Sequence, residues 1–148
     1  MKLTGNRILH ASPEEIFALL MDTDVLTRIT PGITQLKETG PDEYDAIADV
    51  KIGPVSGSFK GKVNIKDKKE NQGFTLAVVQ NSKIGNVSAD VAIALQPVDN
   101  QKTEMSFQGL AKMSGLLART GQRVLSGVAN TLTKQFFSAL EQELVKEA

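Results

Sequence analysis

The fold of this chain is decided by residues 52–65, which read IGPVSGSFKGKVNI. A turn pair, Gly53-Pro54, comes near the start, and small or apolar residues then alternate with polar ones. Because successive side chains of a β-strand point to opposite faces of a sheet, this alternation predicts a strand with one dry face and one wet face. The dry row is Val55, Gly57, Phe59, Gly61, Val63 and Ile65, and the wet row begins Ser56, Ser58, Lys60, Lys62 and Asn64. Such a strand is typical of an antiparallel sheet that is covered on one side.

The same two-residue period continues on both sides of this strand. Short turn segments such as 40–42 (Gly-Pro-Asp) and 83–85 (Lys-Ile-Gly) separate the runs. Connections this short require antiparallel pairing of consecutive strands. We predict strands at about 3–11, 33–38, 43–52, 55–66, 74–81, 86–97 and 103–113. Together they form a curved, seven-stranded antiparallel sheet.

Two short helices are predicted between the first two strands. Ser12 can cap the first helix, Pro13 suits its first position, and Glu15 stands where a capping box places a glutamate. Residues 22–24 (Asp-Thr-Asp) give a second cap signal, for a helix over 25–29 that ends at Pro31-Gly32.

A long amphipathic helix is predicted at the C-terminus. Apolar residues recur there every three or four positions, and they are Leu117, Gly121, Val124, Val128, Leu132, Phe136 and Leu140, joined by Leu125, Phe137 and Leu144. About thirty residues at 1.5 Å each give one continuous helix of ~45 Å, which would cover the dry face of the sheet. The predicted fold class is therefore α+β, with residues 1–148 forming a single domain.

Composition excludes several classes of protein. Seventeen basic and seventeen acidic side chains balance, whereas nucleic-acid binders carry a basic excess. The chain has no cysteine, which removes disulfides and thiolate sites. The N-terminus lacks the apolar region of a signal peptide, and no window approaches the roughly 18 apolar residues of a membrane span. We therefore expect a cytoplasmic protein that makes at most peripheral contact with a membrane.

The sequence contains no recognisable catalytic or metal-binding constellation. His10 is the only histidine, and we interpret it as a solvated or hydrogen-bonded structural residue. Without a second histidine or a thiolate, no zinc site is expected. We place the carboxylates of Glu141, Glu143 and Glu147 on the wet face of the C-terminal helix. No catalytic residue, metal or cofactor is predicted.

Glycines on the dry rows leave two interpretations open. Gly57, Gly61 and Gly109 lie on inward strand rows, and Gly121 lies on the facing stripe of the helix. Since glycine weakens strands and helices by about 0.5–1 kcal/mol relative to alanine, its presence needs a local reason. The glycines either let the sheet bend around the helix or leave space for an apolar ligand.

Lysines crowd one hairpin of the predicted sheet. They are Lys60, Lys62, Lys66, Lys68 and Lys69, against Asp67 and Glu70. One interpretation is a solvated strand face that discourages edge pairing. The other is a docking patch for an acidic partner or an anionic membrane surface, formed by Lys60, Lys62 and Lys66.

The predicted order of elements resembles the helix-grip fold of the START/birch-pollen-allergen (SRPBCC) superfamily, whose members hold apolar ligands between helix and sheet. More narrowly, the sequence is similar to the CoxG family of carbon monoxide dehydrogenase subunits. The similar segments are 3–5 (Leu-Thr-Gly), 11–17 (Ala-Ser-Pro-Glu-Glu-Ile-Phe), 31–32 (Pro-Gly), 52–63, and 114–118 (Ser-Gly-Leu-Leu-Ala) running on to Phe136-Phe137. The resemblance implies a link to molybdenum hydroxylases of the CO dehydrogenase type, through enzyme maturation, membrane recruitment or the carrying of a lipophilic quinone.

Three functions are compatible with these observations. The first is a non-enzymatic carrier or accessory protein that binds an apolar molecule, such as a quinone, for a CO dehydrogenase-type molybdenum hydroxylase. The second is an assembly or maturation factor without a functional ligand. The third is a hydrolase or cyclase, which would need a polar group pointing into the pocket. For the first function we predict a pocket lined by Phe59, Gly61, Val63, Val91, Met105 and Phe107 from the sheet and by Leu117, Gly121, Val124, Leu125 and Val128 from the helix.

Overall fold

A computed structural model describes residues 1–147 of the chain. In this range the elements follow in the order β1 (Lys2–Leu9), α1 (Pro13–Leu20), α2 (Thr23–Ile29), β2 (Ile33–Gly40), β3 (Glu43–Ile52), β4 (Val55–Lys69), β5 (Gly73–Ser82), β6 (Gly85–Asp99), β7 (Lys102–Met113), α3 (Gly115–Arg119) and α4 (Gln122–Glu147). The predicted α+β fold is confirmed, with its seven-stranded antiparallel sheet, two short helices after β1 and a long C-terminal helix.

The strands form one sheet in the order β1-β7-β6-β5-β4-β3-β2. Every neighbouring pair is antiparallel. From β2 to β7 the sheet is a meander of hairpins, and the turn between β3 and β4 uses Gly53 at a φ of +54°, where glycine has no steric penalty. Because β1 pairs with β7, helices α1 and α2 connect the two edge strands.

Both short helices begin at the predicted caps. The Ser12 hydroxyl oxygen accepts a hydrogen bond from the Glu15 N–H at 3.2 Å. The Asp22 carboxylate accepts from the N–H groups of Asp24 and Val25 at 2.9 and 3.3 Å. These bonds satisfy amides that have no partner within the first turn of a helix.

Close approach between strand backbones explains two of the inward glycines. A Cβ atom on Gly61 would overlap the backbone oxygen of Val79, and one on Gly109 would overlap that of Asp90, both well inside the 3.0 Å that real Cβ contacts keep. Since no side chain can be accommodated at such separations, curvature of the sheet is the favoured interpretation at both positions. Gly57 differs, because a Cβ there would meet the Ile84 side chain at an ordinary 3.6 Å.

The prediction of one continuous C-terminal helix is wrong at its start. Helix α3 ends at Arg119 and α4 begins at Gln122, because Gly121 adopts a φ of +99°, which a right-handed helix does not use. The interruption changes which residues face the sheet, so that Leu125 is buried while Val124 is 40% exposed. Helix α4 has 26 residues, and no helix among residues 1–147 is long and apolar enough to cross a membrane.

Two ion pairs fasten the C-terminal half of α4. Arg28 of α2 donates to Glu143 from Nε at 2.7 Å and from Nη2 at 3.3 Å, and the Glu143 side chain is only 6% exposed. Arg7 of β1 donates to Glu141 at 2.5 Å, and its guanidinium lies 5.1 Å from the centre of the Phe137 ring. The prediction that Glu143 lies on the wet face is therefore wrong, because its side chain is buried. The two hydrogen bonds from Arg28 compensate this burial.

Two apolar clusters lie at the two ends of the helical layer. The first joins α1, α2 and the end of α4, and contains the fully buried Leu9, Ile16 and Leu140. The second joins α3 and the start of α4 to the sheet, and consists of Val55, Phe59, Leu117, Leu125 and Val128. Inward residues of the sheet between the clusters, such as Val78 and Ala89, are only partly buried.

The Arg28–Glu143 pair makes stability depend on pH. The hydrogen bond from Arg28 is the main cause that lowers the Glu143 pKa from its ordinary 4.5, against burial, which raises it. A carboxyl with a lowered pKa stabilises the fold above its unfolded pKa, and this contribution is lost as pH falls through the folded pKa. We expect wild type to exceed Glu143→Gln in free energy of unfolding at neutral pH, and this gap to shrink as pH falls below 4.5.

Urea unfolding at a series of pH values measures this gap. Glu70→Gln is the matched control, because Glu70 is an exposed turn residue, and its smaller difference from wild type should vary less with pH. A Glu143→Gln gap that stayed constant down to about pH 3 would contradict the assigned linkage.

The glycines provide a second prediction. We expect Gly61→Ala to lower the free energy of unfolding by about 2 kcal/mol or more, since strands β4 and β5 must move apart. Gly57→Ala, on the same face of the same strand, should be neutral or stabilising by up to about 1 kcal/mol. Chemical denaturation of both variants tests the curvature interpretation, and equal effects would reject it.

Candidate functional site

A cavity of about 550 Å³ lies between the sheet and the helices. This volume is within the range of about 300–1,000 Å³ that is usual for ligand pockets. All seven strands contribute inward residues to its wall, and the helices close the other side. Among the described residues, no lining side chain is charged, and those with a side-chain nitrogen or oxygen are Thr30, Tyr44, Gln80 and Thr133.

Because successive side chains of a strand point to opposite faces of the sheet, every second residue of each strand faces the cavity side. On β5 the lining residues are Phe74, Leu76, Val78 and Gln80, and on β6 they are Val87, Ala89, Val91 and Ile93. The free space is explained by small side chains rather than by glycines, since Ala46, Ala48, Ala89, Ala111 and Ala129 line the wall while none of the described glycines does. The cavity is therefore a feature of the side-chain rows, whereas Gly61 and Gly109 serve the bend of the sheet.

Most of the residues predicted to line a pocket are brought together at this cavity. They are Phe59, Val63, Val91 and Phe107 from the sheet and Leu117, Leu125 and Val128 from the helices. The prediction that these residues bind a ligand stays a prediction.

Four predicted residues lie off the cavity wall. Gly61 is closed off by the backbone of Val79, and Met105 is 2% exposed within the apolar cluster that contains α1 and α2. Gly121 lies at the break between α3 and α4, and Val124 is turned outward because of that break. The period of a strand or helix identifies the inward face, but it does not separate packed core from cavity lining.

Gln80 is one of the polar lining residues that the sequence analysis missed. It occupies an inward position of β5, and its Nε2 and Oε1 atoms are buried without a hydrogen-bond partner among the described residues. Polar residues at inward positions of an otherwise apolar row are unusual. The signal that could have identified it is the run Phe74, Leu76, Val78, Gln80, in which one amide follows three apolar residues.

Groups suited to acid–base or metal chemistry are not gathered at the cavity. His10 is exposed and is not among the lining residues. Within residues 1–147 no cluster of three histidine, aspartate or glutamate side chains could hold a metal ion. The Thr133 hydroxyl donates to the Ala129 carbonyl of its own helix at 2.8 Å. The arrangement is suited to enclosing an apolar molecule.

The lysines predicted as a docking patch lie on the outer face of β4. Lys62 Nζ donates to Asp45 Oδ1 at 2.6 Å, and this hydrogen bond raises the pKa of Lys62. Lys66 Nζ lies 3.9 Å from Asp90 Oδ1, and Lys60 is exposed. The positive charge of this face is thus partly compensated by aspartates on β3 and β6.

Comparison with known proteins gives both a family match and structural relatives. A profile of the CoxG family of carbon monoxide dehydrogenase subunits matches residues 5–145, whereas no curated protein sequence matches. The chain is similar to a conserved protein from Geobacillus kaustophilus, at 29% identity and a TM-score of 0.96 over 99% of this chain and 96% of that one.

Two further solved structures share the fold at lower identity. A START superfamily protein from Mycobacterium smegmatis has 16% identity and a TM-score of 0.78, over 99% of each chain. The Zhui aromatase/cyclase from a Streptomyces species has 12% identity and a TM-score of 0.69, over 97% of this chain and 92% of that one. The predicted resemblance to the START superfamily is therefore confirmed at the level of the fold.

Proposed function

The chain belongs to the CoxG family of carbon monoxide dehydrogenase subunits, and from this premise and the geometry of its cavity we propose that it is a non-enzymatic carrier of a lipophilic small molecule. The observation that carries the proposal is a cavity of about 550 Å³ between sheet and helices, whose wall is mostly apolar and bears no charged side chain among the described residues.

The wall determines what kind of molecule is bound. Burial of apolar ligand surface contributes roughly 25 cal/mol per Å² before the costs of ordering the ligand. A charged group would lose its hydration in this wall without gaining a partner, at a cost of several kcal/mol. The best ligand is therefore apolar and neutral, and a lipophilic quinone meets both conditions. We assign contact with it to Phe59, Val63, Val91, Phe107, Leu117, Leu125 and Val128.

The proposed recipient or donor of this ligand is a molybdenum hydroxylase of the CO dehydrogenase type. The family description supports this assignment. We propose Lys60, Lys62 and Lys66 as the docking surface, on the face of β4 opposite to Phe59 and Val63. Because docking surface and cavity lie on opposite faces of the sheet, the two parts of the proposal can be tested separately.

Filling the cavity should abolish ligand binding. Ala89→Phe adds a phenyl ring on the inner face of β6, and Ala92→Phe adds the same ring on the exposed outer face of that strand. Native mass spectrometry of protein purified from its own host, followed by organic extraction, should find a stoichiometric neutral lipid on wild type and Ala92→Phe but not on Ala89→Phe.

Circular dichroism and thermal unfolding confirm that both variants fold. The carrier function is rejected if wild type is isolated empty and also fails to bind an added quinone or the neutral fluorophore N-phenylnaphthylamine. It is rejected as well if Ala89→Phe retains the lipid, since the cavity would then not be its site.

Charge reversal tests the docking surface. Lys60→Glu, Lys62→Glu and Lys66→Glu together should abolish capture of the partner enzyme from host lysate while quinone binding stays unchanged. The matched control reverses three other exposed lysines, Lys37, Lys51 and Lys112, and so makes the same change in net charge. Equal capture by the two triple variants would place the docking surface elsewhere.

A further inference from the structure

We propose that Gln80 is the group by which the cavity selects its ligand, through hydrogen bonds between its side-chain amide and a carbonyl or hydroxyl group on an otherwise apolar molecule. This inference rests on the proposed function, because it names the chemical group that the carrier recognises. With this group the cavity would bind neutral lipids that bear a carbonyl or hydroxyl group more tightly than plain hydrocarbons or lipid anions.

The amide of Gln80 lacks a partner within the protein. Its Nε2 and Oε1 atoms are the buried side-chain polar atoms that no donor or acceptor reaches in the described part of the chain. Buried amides in native proteins are almost always hydrogen-bonded, and an unpaired one destabilises the fold. Gln80 lines the cavity, but these two atoms have less than 1 Å² of accessible surface, so the proposed bonds form as the side chain turns toward a bound molecule.

The neighbours of Gln80 on the inner face of the sheet cannot supply the missing bonds. Strand register places it opposite Gly61 on β4 and opposite Val87 on β6. The diagonal positions on the same face are occupied by Phe59 and Val63 on β4 and by Ala89 on β6. None of these side chains has a nitrogen or oxygen atom, so the amide is an isolated polar group in an apolar wall.

The chemistry of an amide defines the class of ligand. Its nitrogen donates two hydrogen bonds and its oxygen accepts, so a ketone oxygen can accept from Nε2 and a hydroxyl can bond both atoms. The amide is neutral and cannot compensate a carboxylate or phosphate. The terminal ammonium of Met1, another lining residue, already donates to the Ala111 carbonyl at 2.8 Å. The ligand that satisfies Gln80 is thus a neutral ketone, quinone or alcohol.

The variant Gln80→Met tests the assignment, since methionine has a similar length without a nitrogen or oxygen in its side chain. Val79→Met is the matched control, because Val79 is exposed on the outer face of the same strand. Binding to delipidated protein is measured by displacement of N-phenylnaphthylamine with tridecanone, tridecanol, tridecane and tridecanoate, which share one chain length and differ in their polar group.

Wild type and Val79→Met should prefer tridecanone and tridecanol over tridecane and tridecanoate by about tenfold in Kd. Gln80→Met should lose the preference over tridecane while it still binds the fluorophore. The Tm of ligand-free Gln80→Met should be about 3 °C above that of wild type, because an unpaired amide has been removed.

The possible failures are distinguishable. If wild type does not bind N-phenylnaphthylamine or any of the four compounds, the carrier function fails and the role of Gln80 fails with it. If all proteins bind the fluorophore and Gln80→Met keeps the wild-type preference, the role of Gln80 is overturned while the carrier function stands. A Tm below that of wild type for both Gln80→Met and Gln80→Leu, with unchanged preference, would show that the amide holds a structural water.

Discussion

The rest of this structure depends on the need to cover the apolar face of a seven-stranded sheet with one long helix. Seven strands about 4.8 Å apart span roughly 29 Å, whereas a helix with its side chains is only about 10–12 Å across. The sheet must therefore curl around α4, which the close backbone approaches at Gly61 and Gly109 allow. Because α1, α2 and the two apolar clusters fill only the ends of this space, a cavity remains in the middle.

Two polar side chains inside the molecule differ in whether their polar atoms have hydrogen-bond partners. Glu143 is buried, but Arg28 gives it two hydrogen bonds, so the pair closes a structural contact between α2 and α4. Gln80 lines the cavity, and its buried amide atoms have no partner in the described part of the chain. A buried polar group with partners stabilises the fold. A buried amide without partners lowers the stability of the ligand-free protein, and a ligand that bonds it would offset this loss.

The shared fold does not by itself determine what is bound. The same architecture occurs in a START superfamily protein from Mycobacterium smegmatis and in an aromatase/cyclase from Streptomyces. Function in such a superfamily depends on the side chains that line the space between helix and sheet. In this chain most of the lining is aliphatic or aromatic, Gln80 adds an unpaired amide, and His10 lies outside the cavity. That lining is suited to holding a neutral lipid.

The sequence by itself determined the elements of the fold, because their signals are local. Alternation from Val55 to Ile65 predicted β4 and its dry face, and the side chains of Ser12 and Asp22 predicted the starts of α1 and α2. The lining was only partly predictable, since Met105 and Phe107 have the same inward direction but only Phe107 reaches the cavity.

The tertiary structure alone decided that Glu143 is buried, because its partner Arg28 is 115 positions away in the chain. It also decided that the amide of Gln80 is left unpaired, since that depends on which side chains the strand register brings beside it. Periodicity tells which way a side chain points, and only packing tells what it meets there.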